Sequence, residues 1–170
     1  MKSDVLVYFD LITNLKTTQE VANLTCEIDA FMLTFFESEK ISLEKALDLI
    51  STGWAEKIRQ AFSKNNFDIN DRDAVARFFK NLKELMEKLK VIKLVLAFDP
   101  TRKTIEKIHN FVKDNIGIDY ILDIEISEDV LGGAVVIFDG KYCDFTLKKS
   151  IENTFNRRVA EEEGLPTARI

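Results

Sequence analysis

The stretch EDVLGGAVVIFDGKYCDF, residues 128–145, contains the strongest local signals for the fold. Asp139-Gly140 separates two short apolar runs, and both residue types tolerate the positive φ angles that a two-residue turn of type I′ requires. Gly132 and Gly133 come directly before the first run, where a bulge or a sharp entry into a strand needs residues without a Cβ. We therefore predict a β-hairpin whose first strand is entered through the Gly-Gly pair.

Paired glycines also occur in phosphate-binding loops, so this alternative has to be weighed. Such a loop needs a helix N-terminus directly after the glycines, because the free amide groups of the helix face the anion. A strand is predicted after Gly133 instead, and no Gly-Lys-Ser or Gly-Lys-Thr sequence occurs in the chain. We interpret the pair as turn chemistry.

A strand, a helix and a second strand are predicted before the hairpin. VIKLVLAF, residues 91–98, is a β-branched and aromatic run of strand length. Asp99 is the predicted N-cap of the helix, Pro100 its first residue and Gly117 its C-terminal cap. The predicted inward residues of the helix are Ile105, Ile108, Val112 and Ile116, and those of the second strand are Ile118, Tyr120, Leu122, Ile124 and Ile126. A parallel crossover is the default for such a unit.

Residues 17–90 have the periodicity of helices, with apolar residues at steps of three and four. Thr17 and Glu20 have the spacing of a capping box at the start of the first of these helices. The predicted apolar stripes are Val21, Leu24, Ile28, Phe31, Met32, Phe35 and Phe36; Leu43, Ala46, Leu47 and Ile50; Trp54, Ile58, Ala61 and Phe62; and Val75, Phe78, Phe79, Leu82, Leu85, Met86 and Leu89. Residues 5–15 remain open between a strand, a short helix and a docked segment.

The change of period near residue 91 predicts an α+β protein with an N-terminal helical bundle followed by a small C-terminal β-α-β-β-α domain. The predicted boundaries are 1–90 for the helical domain, 91–160 for the α/β domain and 161–170 for a C-terminal tail. Apolar residues recur every four positions along the last helix, at Leu147, Ile151, Phe155 and Val159. This narrow stripe either caps the domain core or lies in the groove of a partner.

Composition restricts the classes of partner. The net charge is −5 and acidic and basic residues are interleaved, so we expect no nucleic acid partner. The longest apolar run, Gly132–Phe138, is too short to span a bilayer, and the N-terminus lacks the features of a signal peptide. Cys26 and Cys143 have no CxxC pattern and are interpreted as reduced, small, semi-apolar fillers in a cytoplasmic protein.

The sequence contains no recognisable catalytic constellation. His109 is the only histidine, whereas a metal site normally needs three or four ligands. We interpret His109 as a packing or surface residue at the edge of an inward helix face. We therefore expect no catalytic residue, no metal and no cofactor.

The helical half contains many Phe residues, and we expect some of their rings to line a groove that binds a partner.

The segment LGGAVVIFDGKYCDF, within its β-α-β-β-α context, resembles the delta subunit family of the F-type ATP synthase, called the oligomycin sensitivity-conferring protein in mitochondria. The matching segments are Asp129–Gly133, Ala134–Phe138, Asp139–Lys141 and Asp144–Thr146, where Thr146 stands in place of the usual Ser. The N-terminal domain of that family is a six-helix bundle that opens with a Tyr-Ala-x-Ala-Leu type helix. This opening is absent here, so the helical half is a shortened or divergent version.

The resemblance implies a non-catalytic peripheral-stalk (stator) subunit that is cytoplasmic, associated with the membrane through the complex, and monomeric when isolated. By this resemblance the helical half would bind the N-terminal helix of the alpha subunit, and the C-terminal half the C-terminal helices of the b subunit. The candidate residues are Phe31, Phe35 and Trp54 for alpha, and Leu131, Gly132, Gly133, Leu147, Ile151 and Phe155 for b.

Three alternative functions stay open. One is a stalk subunit like the E-type subunit of vacuolar ATPases or its flagellar-export counterpart, although no long heptad run is present. Another is a stand-alone adaptor for protein–protein interaction. The third is an enzyme with a small-molecule site between the halves, which the lone histidine disfavours.

Overall fold

The computed structural model describes residues 2–37, 41–65 and 67–162, and within these ranges the side chains of residues 7–154. The described elements begin with α1 (Lys2–Ile12), α2 (Thr18–Glu37), α3 (Leu43–Leu47), α4 (Thr52–Lys64) and α5 (Arg72–Glu87). They continue with β1 (Lys90–Leu96), α6 (Arg102–Asn115), β2 (Tyr120–Ile126), β3 (Ala134–Phe138), β4 (Lys141–Asp144) and α7 (Leu147–Glu162). This order confirms the α+β prediction of a helical bundle followed by a β-α-β-β-α arrangement.

The chain divides into two units. The first comprises Met1–Lys90 and Ile108–Ile121, and the second comprises Val91–Lys107 and Leu122–Ile170. Helix α6 and strands β1 and β2 therefore each contribute residues to both units. The predicted domain limits of 1–90, 91–160 and 161–170 stay predictions. Among the described residues, no helix combines the length and the apolar character needed to cross a membrane.

The core of the first unit is built from aromatic rings on α1, α2, α4 and α5. The ring centroids of Phe31 and Phe79 lie 4.5 Å apart, and those of Phe62 and Phe78 lie 4.7 Å apart in an edge-on arrangement. Each fully buried ring of this kind stabilises the fold by about 1.5–3 kcal/mol. The open segment 5–15 belongs largely to helix α1, whose residue Leu11 is buried in this core.

The helix starts follow capping chemistry, although one was predicted at the wrong residue. The Thr17 hydroxyl accepts the Glu20 N–H at 3.2 Å, as predicted, while the Glu20 carboxylate accepts the N–H of Lys16 at 2.8 Å. The prediction for α6 was wrong, because this helix begins at Arg102 rather than at Pro100. Thr101 caps it instead, with its hydroxyl accepting the Thr104 N–H at 3.3 Å.

Most residues of a mixed sheet with strand order β2-β1-β3-β4 belong to the second unit. Strands β1 and β3 are antiparallel, with Leu96 opposite Ala134, and β3 and β4 are antiparallel as well. The Lys90 N–H donates to the Asp119 carbonyl at 2.8 Å and the Ser127 N–H to the Leu96 carbonyl at 2.9 Å. Both partners advance in the same direction, so β1 and β2 are parallel, as the β-α-β pattern predicts.

The hairpin prediction is confirmed by backbone geometry. Asp139 and Gly140 have φ angles of 49° and 70°, which are the two positive values that a type I′ turn requires. Asp139 is the only non-glycine residue with a positive φ in the described part of the chain.

Several residues predicted to face inward are exposed. The exposed residues from the predicted inward faces are Phe36, Ile116, Ile118 and Ile126. On β2, the adjacent residues Ile121 and Leu122 are both buried. Since neighbouring strand residues point to opposite faces, both faces of β2 are covered near its start while its end is open. Cys26 and Cys143 are also exposed, so their interpretation as fillers was wrong.

Candidate partner-binding surfaces

The Gly-Gly pair packs against the segment between β4 and α7. Gly133 has a φ of 83°, and a Cβ at this position would lie 2.3 Å from the carbonyl oxygen of Phe145. Gly132 has a φ of 66°, but a Cβ there would lie 3.4 Å from the Cβ of Leu147, which is ordinary contact. Gly133 is therefore required for close backbone approach, and Gly132 mainly for its backbone conformation.

Hydrogen bonds join the two segments into what we call the hairpin–helix junction, residues 131–134 and 144–147. The Phe145 N–H donates to the Ala134 carbonyl at 2.9 Å. The Leu147 N–H is shared between the carbonyls of Leu131 and Gly132, at 3.1 Å to each. The first turn of α7 is thus bonded to the loop that enters β3.

Asp144 and Thr146 complete the junction. The hydroxyl and the backbone N–H of Thr146 both lower the pKa of Asp144, and the N–H donates to its carboxylate at 2.9 Å. The Thr146 hydroxyl oxygen also accepts the N–H of Lys149 at 3.3 Å, which caps α7. Thr146 is buried, although it is polar. The Asp-x-Thr sequence therefore has a structural explanation as a double cap.

Large apolar side chains are exposed at this junction. Their exposed fractions are 60% for Leu131, 67% for Phe145, 53% for Leu147 and 41% for Ile151. We call these four residues the junction patch. Leu131 is hydrogen-bonded to Leu147 through the backbone, and Ile151 lies one turn further along the same face of α7. Contiguous apolar exposure is a common feature of interaction sites, so the junction patch is a candidate for one.

The first unit has an apolar surface of its own, which we call the α1–α5 groove. It is a cavity of about 280 Å³. Its lining residues are Tyr8, Phe9, Ile12, Thr13, Leu85, Lys88, Leu89, Ile118 and Asp119. Phe9 is 40% exposed in it. Asp119, one of its lining residues, forms a 3.0 Å ion pair with Lys90, and the hydrogen bond from Lys90 lowers the pKa of Asp119.

The structure places the residues predicted to contact the alpha subunit in different environments. Phe31 and Phe35 are only 0% and 3% exposed, so they are core residues. The Arg72 guanidinium lies 4.5 Å above the ring of Phe35 and donates a hydrogen bond to the Phe35 carbonyl. Trp54 is half-buried, with the Nζ of Lys57 4.4 Å above its ring. Their role in binding a partner stays a prediction.

The residues predicted to contact the b subunit come together, apart from one that lies outside the described side chains. Leu131, Gly132, Gly133 and Leu147 all belong to the junction, and Ile151 follows on α7. The side chain of Phe155 is not among those described. Phe145 was missed as a surface residue, because an apolar residue between two polar ones is the pattern that normally predicts a buried side chain, whereas here Phe145 is exposed and Thr146 is buried.

His109 was interpreted from the sequence as either a packing or a surface residue, and the structure shows a packing residue. It is buried in the first unit. Its pKa is lowered, first by burial and then by the positive charges of Lys113 and Lys16, with Glu20 opposing them. Within the described residues, no three His, Cys, Asp or Glu side chains are grouped so that they could hold a metal ion.

Comparison with known proteins gives a consistent result. Residues 16–157 match the family model described as the ATP synthase delta (OSCP) subunit. Two relatives named ATP synthase subunit delta, from Thermotoga petrophila and Thermotoga maritima, are each 23% identical over 154 residues. In both cases the similarity covers 82% of this chain and 79% of the relative. These matches confirm the resemblance carried by the Gly-Gly and Asp-x-Thr segments.

Proposed function

This chain belongs to the ATP synthase delta (OSCP) subunit family, and we propose that it is a stator that links the catalytic head of an F-type ATP synthase to the b-subunit stalk. In a rotary ATPase the head must not turn with the central shaft, so it needs a mechanical link to the stalk. Such a link requires two interfaces that are occupied together and no catalytic residue. The observation that carries the proposal is that each unit has an exposed apolar surface.

The junction patch is the proposed binding surface for the C-terminal helices of the b subunit. A helix that brings its own apolar face is the natural occupant of a patch made of leucine, isoleucine and phenylalanine side chains. Lys148 and Lys149 are exposed next to Leu147 and add positive charge at the rim. Rim charges of this kind favour a partner helix with acidic residues and increase the rate of association.

The α1–α5 groove is the proposed binding site for the N-terminal helix of the alpha subunit. Leu85, Leu89 and Ile12 give it apolar walls, and the exposed ring of Phe9 offers an aromatic anchor. Aromatic anchors contribute strongly to helix-in-groove recognition because they bury a large area on binding. This groove replaces the surroundings of Phe31 and Phe35 as the site that we favour for alpha.

Torque sets the affinity that the link needs. A connection that survives repeated rotation requires dissociation constants near or below the nanomolar range, roughly −12 kcal/mol. Two interfaces on one chain help each other, because binding at one raises the effective concentration at the other. The protein would then be held at the membrane through the complex.

Calorimetry of the full chain tests both interfaces separately. The two titrants are peptides from the same organism, one from the C-terminus of the b subunit and one from the N-terminus of the alpha subunit. We expect submicromolar binding of each, with the negative heat-capacity change of apolar burial. If neither peptide binds, alone or together with the other, the stator proposal is wrong and a stand-alone adaptor becomes the better interpretation.

Matched variants locate each interface. Leu131→Ser should weaken binding of the b peptide at least tenfold and leave binding of the alpha peptide unchanged. Val91→Ser is its control, because the Val91 side chain is similarly exposed. The end of β1 pairs with the junction, since Leu96 lies opposite Ala134, whereas Val91 lies near the start of that strand.

For the groove, Phe9→Ser should weaken binding of the alpha peptide. Phe36→Ser is the control, since both rings are 40% exposed and Phe36 lies next to Phe35 on α2. A larger loss with Phe36→Ser would move the site to the face around Phe35.

A further inference from the structure

We propose that Thr146 is a positioning residue: with Asp144 it fixes the first turn of α7 against the Gly-Gly pair, so that Leu131 and the apolar face of α7 form one binding surface. The inference deepens the proposed function and rests on it for the identity of the partner. It assigns to the Asp-x-Thr sequence a task that neither residue performs by touching the partner.

The hydrogen bonds of Thr146 point in two directions. Its N–H donates to the carboxylate of Asp144, which belongs to the hairpin, at 2.9 Å, and its hydroxyl helps to lower the pKa of that carboxylate. Its hydroxyl oxygen accepts the Lys149 N–H, which belongs to α7. The side chain is buried, and a buried hydroxyl normally has at least one hydrogen-bond partner, which here is the N–H of Lys149. Thr146 therefore couples the end of β4 to the helix.

The direction of α7 depends on this first turn. The Leu147 N–H is bonded to both Leu131 and Gly132. Further along α7, the hydrogen bonds of the described residues 150–154 stay within the helix and its cap. The Thr154 hydroxyl, for example, donates to the Ser150 carbonyl at 2.9 Å, and the Ser150 N–H donates to the Thr146 carbonyl. The polar restraints on the described side chains of α7 are thus concentrated at the junction.

The geometry explains why the restraint matters for binding. Leu131 lies on the loop before β3, whereas Leu147 and Ile151 lie on α7. These side chains form one surface only while α7 keeps its angle to the loop. A surface assembled in advance binds more tightly, because the partner does not have to order it.

Two substitutions at position 146 separate the hydroxyl from the volume of the side chain. Thr146→Val keeps the shape and the backbone N–H that donates to Asp144, but it removes the hydroxyl that accepts the N–H of Lys149 and interacts with the Asp144 carboxylate. Thr146→Ser keeps the hydroxyl and loses only a methyl group. Asp144→Ala is a second disruptive variant, at a partly exposed position where a folding defect is less of a concern.

The angle of α7 is measured in the free protein by pulsed electron paramagnetic resonance. One nitroxide label is attached to the exposed native Cys143 and a second to α7 through Ala160→Cys, in a Cys26→Ser background. The labelled protein with the native Thr146 and its Thr146→Ser variant should each give a single narrow distance distribution. Thr146→Val and Asp144→Ala should broaden it, with circular dichroism verifying that each variant is folded.

Binding of the b-subunit peptide is measured on the same variants without labels. Thr146→Val should weaken this binding about fivefold, which is the effect expected when one helix cap is lost. The affinity of Thr146→Ser for the b peptide should stay within about twofold of the parent's. Binding of the alpha peptide should be unchanged in both variants. The proposal is overturned if the distance distributions of Thr146→Val and Asp144→Ala are as narrow as that of the parent. It is also overturned if these distributions broaden but the two variants bind the b peptide as tightly as the parent does. If the parent protein fails to bind the b peptide, the function proposed for the patch fails, while the distance measurement still decides whether Thr146 positions α7.

Discussion

Replacing Gly133 with alanine should lower the free energy of unfolding by about 2–5 kcal/mol. Two costs contribute. The φ of 83° lies in the left-handed region, where a residue with a Cβ is disfavoured by about 1–2 kcal/mol. In addition, the new Cβ would lie 2.3 Å from the Phe145 carbonyl oxygen, which belongs to the backbone and has no flexible end that moves away.

Gly140→Ala is the matched control for this substitution. Gly140 has a φ of 70°, but a Cβ there would have no heavy atom within 4 Å. It therefore pays the conformational cost alone, about 1–2 kcal/mol. The difference between the two variants isolates the clash, which we expect to contribute about 1–3 kcal/mol, as other overpacked positions do. Gly132→Ala should resemble Gly140→Ala, since its contact with Leu147 is ordinary.

Urea unfolding followed by circular dichroism measures the stability of each variant, and hydrogen exchange of the β3 amides shows whether the loss is local to the hairpin. The exchange measurement is needed because a chain with two units need not unfold in one step. Equal destabilisation by Gly133→Ala and Gly140→Ala would refute the reasoning, since it would mean that the junction opens without cost.

The other predictions concern the helical unit and its caps. Leu24→Ala should cost about 2–5 kcal/mol by leaving a cavity in the core, whereas Leu33→Ala, at an exposed position on the same helix, should stay within about 0.5 kcal/mol; similar urea midpoints for the two would contradict the burial of α2. Asp71→Ala should cost about 1 kcal/mol and Asp71→Asn much less, because Asp71 accepts the Ala74 N–H at 3.1 Å and asparagine caps equally well. The pKa of His109 is lowered in the folded protein, so its contribution to stability is complete above the ordinary histidine pKa of about 6.5 and is lost as the pH falls below it. The urea midpoint of the parent should therefore fall more between pH 7.5 and 5.5 than that of His109→Gln, and parallel pH profiles would count against this role.

Local chemistry made much of the fold predictable. Asp139-Gly140 predicted the hairpin because few residue pairs adopt two successive positive φ angles. The stripe on α5 predicted its buried face, since residues such as Val75, Phe79 and Leu82 recur at helical spacing and all are buried. Both signals depend on neighbouring residues alone, so they are readable without knowledge of the tertiary structure.

The remaining features depend on what covers each side chain, which periodicity does not contain. Phe35 and Phe36 are consecutive phenylalanines on one helix, yet the first is buried and the second is exposed. The start of α6 depends on competition between Asp99 and Thr101, both good capping residues, and in the structure the Thr101 hydroxyl accepts the N–H of Thr104. The α1–α5 groove was missed as well, because the sequence left residues 5–15 open between a strand, a short helix and a docked segment.

The segments that carried the family resemblance turn out to have two separable tasks. Gly133 is needed for the close approach of two backbones, while Leu131, two residues earlier, has its side chain largely in solvent. Gly133→Ala should therefore lower stability, whereas Leu131→Ser should lower affinity for the b peptide with little effect on the urea midpoint, because an exposed apolar side chain contributes little to folding. If Leu131→Ser instead destabilised the fold as strongly as Gly133→Ala, the junction patch would belong to the core of the unit, and the stalk would have to bind elsewhere. This pair of substitutions thus separates architecture from function at the place where the sequence most resembles its family.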